Sequence, residues 1–245
     1  MTREDENQLV SLDPYLDGSR AKRRHLVRKG FTRPALRALV KPRVYGEENV
    51  ENLEGAFILI PNHQSHLDAP MVFSLLPDSI TERLAAGAAA DYFYRRKGVS
   101  ALTSLFFNTY PIERKDKPRS PNQPNASGMT GRLLRAGVPL LIFPEGTRSR
   151  DGKIGKFRAG AAALAQKVGV PLVPLAMNGG HEAMPVGSVV PKFRAEVTLY
   201  IGKPMYSRAG ESPEDFMARV FRVIEAMLEQ KTAHPLDSDG NSLFD

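Results

Sequence analysis

Two histidines and an aspartate lie within the short segment NHQSHLD, residues 62–68, and these side chains could carry out chemistry. The residues alone leave three interpretations open. His63, His66 and Asp68 could bind a metal ion, although catalytic zinc motifs usually place their histidines on a helix. Asn62 and Asp68 could instead cap a polar turn. In the third interpretation His63 is a general base, and Asp68 holds the other nitrogen of its imidazole.

A general base needs a hydroxyl or thiol to act on, and the chain offers no evident nucleophile of its own. It contains no cysteine, which excludes disulfides, thiolate metal sites and a cysteine nucleophile. It also has no G-x-S-x-G elbow that would present an activated serine. If His63 is a base, the hydroxyl that it activates therefore belongs to a substrate.

The segment EGTRSRDGKIGKFRAG, residues 145–160, has the composition of a phosphate-binding loop. Glycines allow a close approach of the backbone, hydroxyls donate hydrogen bonds, and guanidinium groups bind phosphate oxygens in pairs. The spacing of a P-loop is absent, and a loop of this composition could also be merely solvated. Its polar and basic residues are Thr147, Arg148, Ser149, Arg150, Lys153, Lys156 and Arg158.

Both loops follow short apolar runs that are typical of buried strands, FILIP before the first and LLIFP before the second. Such runs alternate with helical patterns along the chain, without an internal repeat or a linker between residues 44 and 228. We therefore predict a single α/β domain with a mostly parallel central sheet flanked by helices. If the two strands are neighbours, both loops open into one crevice at the carboxyl ends of the strands.

A basic, amphipathic stretch precedes this domain and is predicted to be helical. Residues 20–43 contain ten Lys or Arg and no acidic residue, in a chain of net charge +7. On charge alone the stretch could lie on an anionic membrane, form a solvated helix face or bind nucleic acid. The candidate membrane-surface residues are Arg20, Lys22, Arg23, Arg24, Arg28, Lys29, Arg33 and Arg37.

Four sequence blocks resemble those of the glycerophospholipid acyltransferase family, in particular the bacterial 1-acyl-glycerol-3-phosphate acyltransferases. NHQSHLD matches N-H-x-x-x-x-D, FPEGTRSRDG matches F-P-E-G-T-R-S, YPIERKD matches the block that ends in arginine, and VPLVPLAMNG matches the proline-containing block. The blocks occur in the family's order over residues 44–205. Two positions depart from the pattern, because Asn108 replaces a usual glycine and Arg158 a common lysine.

The resemblance implies transfer of an acyl chain from coenzyme A or acyl carrier protein to a glycerophosphate hydroxyl, with no bound cofactor and no metal. It implies that His63 deprotonates this hydroxyl and that Asp68 orients His63, whereas His66 is expected to take no part. Glu145 is expected to hold an arginine rather than an anion. The implied site that forms or frames the acceptor phosphate comprises Arg114, Lys115, Glu145, Gly146, Thr147 and Arg148, with Thr147 and Arg148 as the direct contacts.

The acceptor that the resemblance favours is 1-acyl-glycerol-3-phosphate, which would give phosphatidic acid. Glycerol 3-phosphate or another lysolipid would fit the same chemistry, and a catalytically silent membrane-binding protein or a nucleic-acid binder are rival functions. The resemblance also favours the membrane for the basic segment. We therefore expect a cytoplasmic protein that is peripheral on the inner face of the cell membrane. Its expected partners are the lipid surface, the lysophospholipid substrate and acyl carrier protein, with no nucleic acid and no obligate protein partner.

Along the chain we predict a flexible leader over residues 1–18, the basic membrane-surface segment over 19–43, the acyltransferase domain over 44–230 and a disordered tail over 231–245. The first residues are too polar for a secretory signal peptide. No apolar run approaches the roughly 18 residues that are needed to span a bilayer. We expect a protein that does not cross a membrane.

Overall fold

The computed structural model describes residues 9–89, 107–112, 128–185, 187–188 and 191–230. Its centre is a seven-stranded sheet with the order β1-β7-β6-β2-β5-β3-β4. All the strand pairs are parallel except β6 with β7, so the prediction of a mostly parallel sheet is confirmed. The strands are β1 Val40–Tyr45, β2 Ile58–Pro61, β3 Ala85–Ala89, β4 Thr109–Ile112, β5 Leu140–Leu141, β6 Leu172–Asn178 and β7 Ala195–Ile201.

Helices cover both faces of this sheet. Alternate residues of β2 point to opposite faces, so that Leu59 packs in one buried cluster and Ile58 and Ile60 pack in the other. The prediction of helices flanking the sheet is therefore confirmed. The helices are α1 Asp13–Leu16, α2 Gly18–Val27, α3 Arg33–Leu39, α4 Glu48–Glu51, α5 Asp68–Leu75, α6 Asp78–Thr81, α7 Met129–Arg135, α8 Gly160–Val168, α9 Gly180–Ala183 and α10 Pro213–Gln230.

Two helix ends follow the local signals of the sequence. Gly169 ends α8 with a left-handed φ of 77°, a conformation that glycine adopts without strain. Ser212 caps the start of α10, because its hydroxyl accepts the N–H of Asp215 at 3.1 Å. Both ends are therefore determined by residues next to them.

The N-terminal region departs from the prediction of a flexible leader. Val10 and Tyr15 pack against the sheet's second cluster, and Arg132 donates a hydrogen bond to the Val10 carbonyl at 2.9 Å. The prediction is therefore wrong for residues 10–17, whereas residues 1–8 and the tail 231–245 lie outside the described residues. The basic segment also ends earlier than expected as a helix, because residues 40–43 belong to β1 beside β7.

The basic segment is helical from Gly18 to Leu39, with a π-helical turn over Arg28–Thr32 between α2 and α3. Arg24 and Arg28 are only 5% and 0% exposed, so their assignment to a membrane surface is wrong. They lie one turn apart and therefore share the inward face of the helix. Arg33 is half-buried and pairs with Asp78 at 2.7 Å, while the exposed members of the set are Arg20, Lys22, Arg23, Lys29 and Arg37.

None of the helices in the described part of the chain combines the length and the apolar composition that a bilayer crossing requires.

Candidate active site

The two loops that carry the candidate residues lie side by side. They follow β2 and β5, which pair in parallel through Ile58 with Leu140 and Leu59 with Leu141. Parallel neighbours end at the same edge of a sheet, so both loops leave the sheet together. The two strands are therefore neighbours, as predicted, and their loops lie together.

Asn62 fixes the point where the first loop leaves the sheet. Pro61 ends β2, and the Asn62 side chain then continues the pairing with β6. Its Nδ2 donates to the Met177 carbonyl at 2.9 Å, and its Oδ1 accepts the Met177 N–H at 2.7 Å. The side chain is fully buried, so these bonds satisfy a polar group that would otherwise be costly. Asn62 is thus an anchor to the neighbouring strand rather than a turn cap.

Asp68 is completely buried and collects four hydrogen bonds from its own loop. Its Oδ2 accepts from His63 Nδ1 at 2.8 Å, from the Gln64 N–H at 2.7 Å and from the Ser65 N–H at 2.8 Å. Its Oδ1 accepts from the Ser65 hydroxyl at 3.0 Å. The carboxylate is therefore locked in place, and the loop wraps around it.

The imidazole of His63 is held on a second side by an aromatic ring. It stacks on Phe143, which lies at the end of the other strand, with ring centroids 4.0 Å apart. Asp68 Oδ2 already accepts two backbone N–H groups, so the proton in its bond to His63 belongs to Nδ1. Nε2 then carries a lone pair and has no hydrogen bond within the described residues, while the side chain is 21% exposed. This arrangement leaves Nε2 able to accept a proton.

Glu145 ties the two loops together through their backbones. Its Oε1 accepts the His63 N–H at 2.7 Å, and its Oε2 accepts the Gly155 N–H at 3.0 Å. Burial raises the pKa of this carboxyl, while the two backbone bonds act in the opposite direction. Both oxygens are directed at backbone amides, so Glu145 frames the site. Glu145 also lines the cleft described below, and its expected contact with an arginine stays a prediction, because Arg114 lies outside the described residues.

Two further hydrogen bonds join the loops, and neither was predicted from the sequence. The Ser149 N–H donates to the His63 carbonyl at 2.8 Å. Gln64 Nε2 donates to the Gly152 carbonyl at 2.9 Å. The position of Gln64 directly after the candidate base is the one sequence feature that could have identified it. A backbone hydrogen bond of Ser149 cannot be predicted from its residue type.

His66 contacts the second loop rather than His63. Its Nε2 meets Nη1 of Arg148, and the pKa of His66 is lowered by burial and by this guanidinium. A neutral imidazole can accept from a guanidinium, so His66 is placed to orient Arg148, and the expectation that it takes no part in the reaction stays a prediction. Within the described residues no three His, Asp or Glu side chains are placed to hold a metal ion.

The basic loop borders a cleft of about 1300 Å³ that is closed on its far side by α10. Thr147 and Arg148 both line this cleft. Gly146 has a φ of 73°, and a Cβ there would lie 3.2 Å from the Arg158 guanidinium carbon. Glycine at this position therefore lets Arg158 pack on the backbone. Arg114 and Lys115 lie outside the described residues.

Asn108 explains one departure from the family pattern. Its φ is +46°, in the left-handed region that glycine adopts freely and that asparagine tolerates better than most residues. Its Nδ2 donates to the Leu84 carbonyl at 3.3 Å, so the buried amide has a partner. The turn is therefore kept with a different residue.

Comparisons with known proteins agree with this geometry. The sequence model of the acyltransferase family matches residues 41–178. A chloroplast 1-acyl-sn-glycerol-3-phosphate acyltransferase of Brassica napus is 30% identical over 195 residues, which cover 78% of this chain and 52% of that protein. A Pseudomonas aeruginosa protein of the same name is 36% identical over 111 residues, or 42% of each chain.

The fold is also similar to a solved structure. The crystal structure of the 1-acyl-sn-glycerophosphate acyltransferase PlsC from Thermotoga maritima matches with a TM-score of 0.66 and 26% identity. The match covers 84% of this chain and 81% of that one. By contrast, the chain spans about half the length of the first curated relatives that it matches.

Proposed function

Because the chain belongs to the acyltransferase family, we propose that it transfers an acyl chain from an acyl thioester to the free hydroxyl of 1-acyl-glycerol-3-phosphate, giving phosphatidic acid. The observation that carries this proposal is the state of His63. Its Nδ1 is bonded to the buried carboxylate of Asp68, and its Nε2 makes no bond within the described part of the chain.

In the first step Nε2 of His63 takes the proton of the acceptor hydroxyl. The alkoxide oxygen forms a bond to the thioester carbonyl carbon, whose π electrons move to the carbonyl oxygen. Asp68 stabilises the imidazolium that forms, since it already accepts the Nδ1 hydrogen bond at 2.8 Å. A positioned base of this kind accelerates proton transfer by about 10²- to 10⁴-fold.

In the second step the carbonyl re-forms and the carbon–sulfur bond breaks. The sulfur leaves with the electron pair and takes the proton from Nε2 of His63, which restores the neutral imidazole. The products are the ester and a free thiol. No residue of the chain is acylated on this route, which agrees with the absence of cysteine.

The acceptor phosphate is proposed to bind to Thr147 and Arg148, with Gly146 allowing close backbone approach. Arg148 is oriented by His66, and its guanidinium suits two phosphate oxygens at once. Glu145 supports the loop from below by binding the His63 and Gly155 amides. Arg114 and Lys115 are proposed to complete the phosphate site, as the family pattern implies.

The exposed face of α2 and α3 is proposed to hold the protein on the inner face of the cell membrane. Leu26 and Phe31 are 67% and 65% exposed, beside exposed arginines and lysines. Such a face suits an anionic lipid surface, where each basic residue contributes about 1 kcal/mol. Co-sedimentation with phosphatidylglycerol vesicles should be weakened by Leu26→Glu and left intact by Tyr206→Glu, a matched change at an exposed residue outside the segment.

The reaction is tested by the release of free thiol from palmitoyl-coenzyme A in detergent. Parallel reactions contain 1-acyl-glycerol-3-phosphate, glycerol 3-phosphate or no acceptor. We expect release that depends on the lysolipid and that His63→Ala reduces by at least about 10²-fold. Arg148→Ala should raise the acceptor KM, whereas Arg150→Ala, at an exposed residue of the same loop, should not.

Each alternative has its own outcome in this experiment. Greater release with glycerol 3-phosphate would make that compound the acceptor and would leave the base intact. Release only when palmitoyl-acyl carrier protein replaces the coenzyme A thioester would identify the donor. If wild type and His63→Ala were equally inactive with both donors and all acceptors, the enzyme proposal would be wrong and a silent membrane-binding protein would remain.

A further inference from the structure

We propose that Arg24 and Arg28 form a binding site for a phosphate monoester, between the N-terminal helix and the body of the protein. This site shares no residue with the cleft beside Thr147 and Arg148. It is independent of the proposed acyl transfer, because its evidence comes from the burial and the pairing of these two arginines.

The two guanidinium groups lie close together inside the protein. Arg24 and Arg28 are one turn apart on the same helix, and they are 5% and 0% exposed. Arginine is rarely buried to this extent unless it is paired, because desolvation of its charge is costly. Two like charges at this spacing also repel each other.

Most of their donors have no acceptor. Within the described residues, Nε and Nη2 of Arg24 and Nε and Nη1 of Arg28 are buried and make no hydrogen bond. The one bond of this pair is long, from Arg28 Nη2 to Thr81 Oγ1 at 3.5 Å. Four N–H-bearing nitrogens in one place are therefore left without a partner in the described part of the chain.

The nearby carboxylates already have other partners. Asp78 pairs with Arg33 at 2.7 Å, and Glu82 lies 3.1 Å from His25 Nδ1. Arg28 has no carboxylate within ion-pair distance in the described residues. Burial and the charges of Arg24 and Arg33 accordingly lower the pKa of Arg28 to about 10, while Asp78 and Glu82 act weakly in the opposite direction.

A phosphate monoester fits these requirements. It is a dianion near neutral pH, so it neutralises both guanidinium groups, and its oxygens accept paired N–H donors from each fork. The backbone adds a second indication, because a π-helical turn begins at Arg28, and such turns are frequent at functional sites. The turn changes the register of the helix directly after the pair.

The site is tested by thermal unfolding in sodium phosphate and in sodium chloride at equal ionic strength. We expect phosphate to raise the unfolding temperature of the wild-type protein, since a ligand that binds the folded state stabilises it. Arg24→Met and Arg28→Met should abolish this shift. Arg23→Met, at an exposed neighbour on the same helix, should retain it. Arg148→Ala should also retain it, because the proposed site shares no residue with the cleft.

The same variants give a second result that does not need phosphate. Arg28→Met keeps most of the side-chain volume and removes an unpaired buried charge, so its unfolding temperature in chloride should equal or exceed that of the wild type. A lower temperature would mean that the chain itself pairs Arg28, and the proposal would be wrong. Arg28→Lys, which keeps the charge without the fork, should lose the phosphate shift even if the methionine variant fails to fold.

The source of the phosphate is separated by three further ligands. Dioctanoyl phosphatidic acid below its micellar concentration presents a lipid monoester, glycerol 3-phosphate presents a soluble one, and dioctanoyl phosphatidylcholine presents a diester. A rise in unfolding temperature with either monoester that depends on Arg24 and Arg28 supports the site. The monoester that gives the rise identifies the source of the phosphate group. An equal shift with the diester, or no shift with any phosphate, would overturn it.

Discussion

Asp68 and Arg28 are both completely buried charged residues, and the protein treats them in opposite ways. Asp68 accepts four hydrogen bonds from residues within five positions of it, so its loop supplies every partner. In the part of the chain that the structure describes, the Arg28 side chain makes one long hydrogen bond, to Thr81. Burial alone therefore does not define the role of a charged residue. Asp68, whose hydrogen bonds come from its own loop, positions other groups. Arg28, whose donors are largely unpaired, is proposed to bind a ligand.

Asp68→Asn removes the buried carboxylate and should have the largest effect on kcat. An asparagine at this position would direct an amide group at the backbone N–H donors of Gln64 and Ser65 or at His63, and it would favour the wrong imidazole tautomer. We expect kcat to fall by about 10²- to 10⁴-fold. Steady-state kinetics with Asp215→Asn as an exposed control would measure it, and an unchanged kcat would contradict the role of Asp68.

Gly155→Ala should break the link between the loops without changing a polar residue. A Cβ at Gly155 would lie 2.6 Å from Glu145 Oε2, which is closer than real contacts allow. Displacement of Glu145 moves His63, so we expect kcat to fall by up to about 10²-fold.

Gly160→Ala is the matched control for that change. A Cβ at Gly160 meets no atom within 4 Å, at the first residue of α8. We expect unchanged kinetics and an unfolding free energy that is equal or higher by about 0.4–1 kcal/mol. Equal losses of activity in both variants would show that the Glu145 contact does not matter.

Arg33→Met sharpens the comparison within one segment. Arg33 donates to the Ser74 and Leu76 carbonyls at 3.0 and 3.1 Å and pairs with Asp78, unlike Arg28. Its removal leaves these acceptors unpaired, so we expect the unfolding free energy to fall by about 1–3 kcal/mol. Denaturant unfolding should show this loss for Arg33→Met and no loss for Arg28→Met. Equal losses in the two variants would contradict the difference between the two arginines.

The smallest expected effect is a pH dependence at His66. Its pKa in the folded protein lies below 6.5, because burial and Arg148 disfavour the protonated form. The unfolded chain therefore binds this proton more readily, and the stability that neutral His66 contributes is present above pH 6.5 and lost as pH falls through the folded pKa. Relative to His66→Gln, the wild type should lose unfolding free energy on acidification, and a constant difference would contradict this.

Local signals predicted much of the fold and the centre of the site. The apolar runs before NHQSHLD and EGTRSRDG are typical of buried strands, and their adjacency brings the two loops together. The spacing of His63 and Asp68 allows the carboxylate to reach back to the imidazole at 2.8 Å. Gly169 ends α8 and Ser212 caps α10 through effects that depend on neighbouring residues only.

Long-range packing determined what the sequence did not predict. Glu145 binds the backbone amide of Gly155, ten residues away, and that of His63 in the other loop. The basic, glycine-rich composition of its own loop indicates phosphate binding and gives no sign of these contacts. Arg24 and Arg28 belong to a basic run that is typical of a surface, and only the docking of the helix buries them. Asn108 stands where the family usually has glycine, and its backbone has the left-handed conformation that glycine adopts freely.

The tautomer of His63 directly tests whether this residue is a general base. General-base action requires a proton on Nδ1 and a lone pair on Nε2. Nitrogen-15 NMR of histidine-labelled protein above pH 7, with His63→Ala to assign the signal, distinguishes the two neutral forms. We predict the form protonated at Nδ1, held by the 2.8 Å bond to Asp68. A proton on Nε2 would contradict the account, since that nitrogen could not accept the substrate's proton.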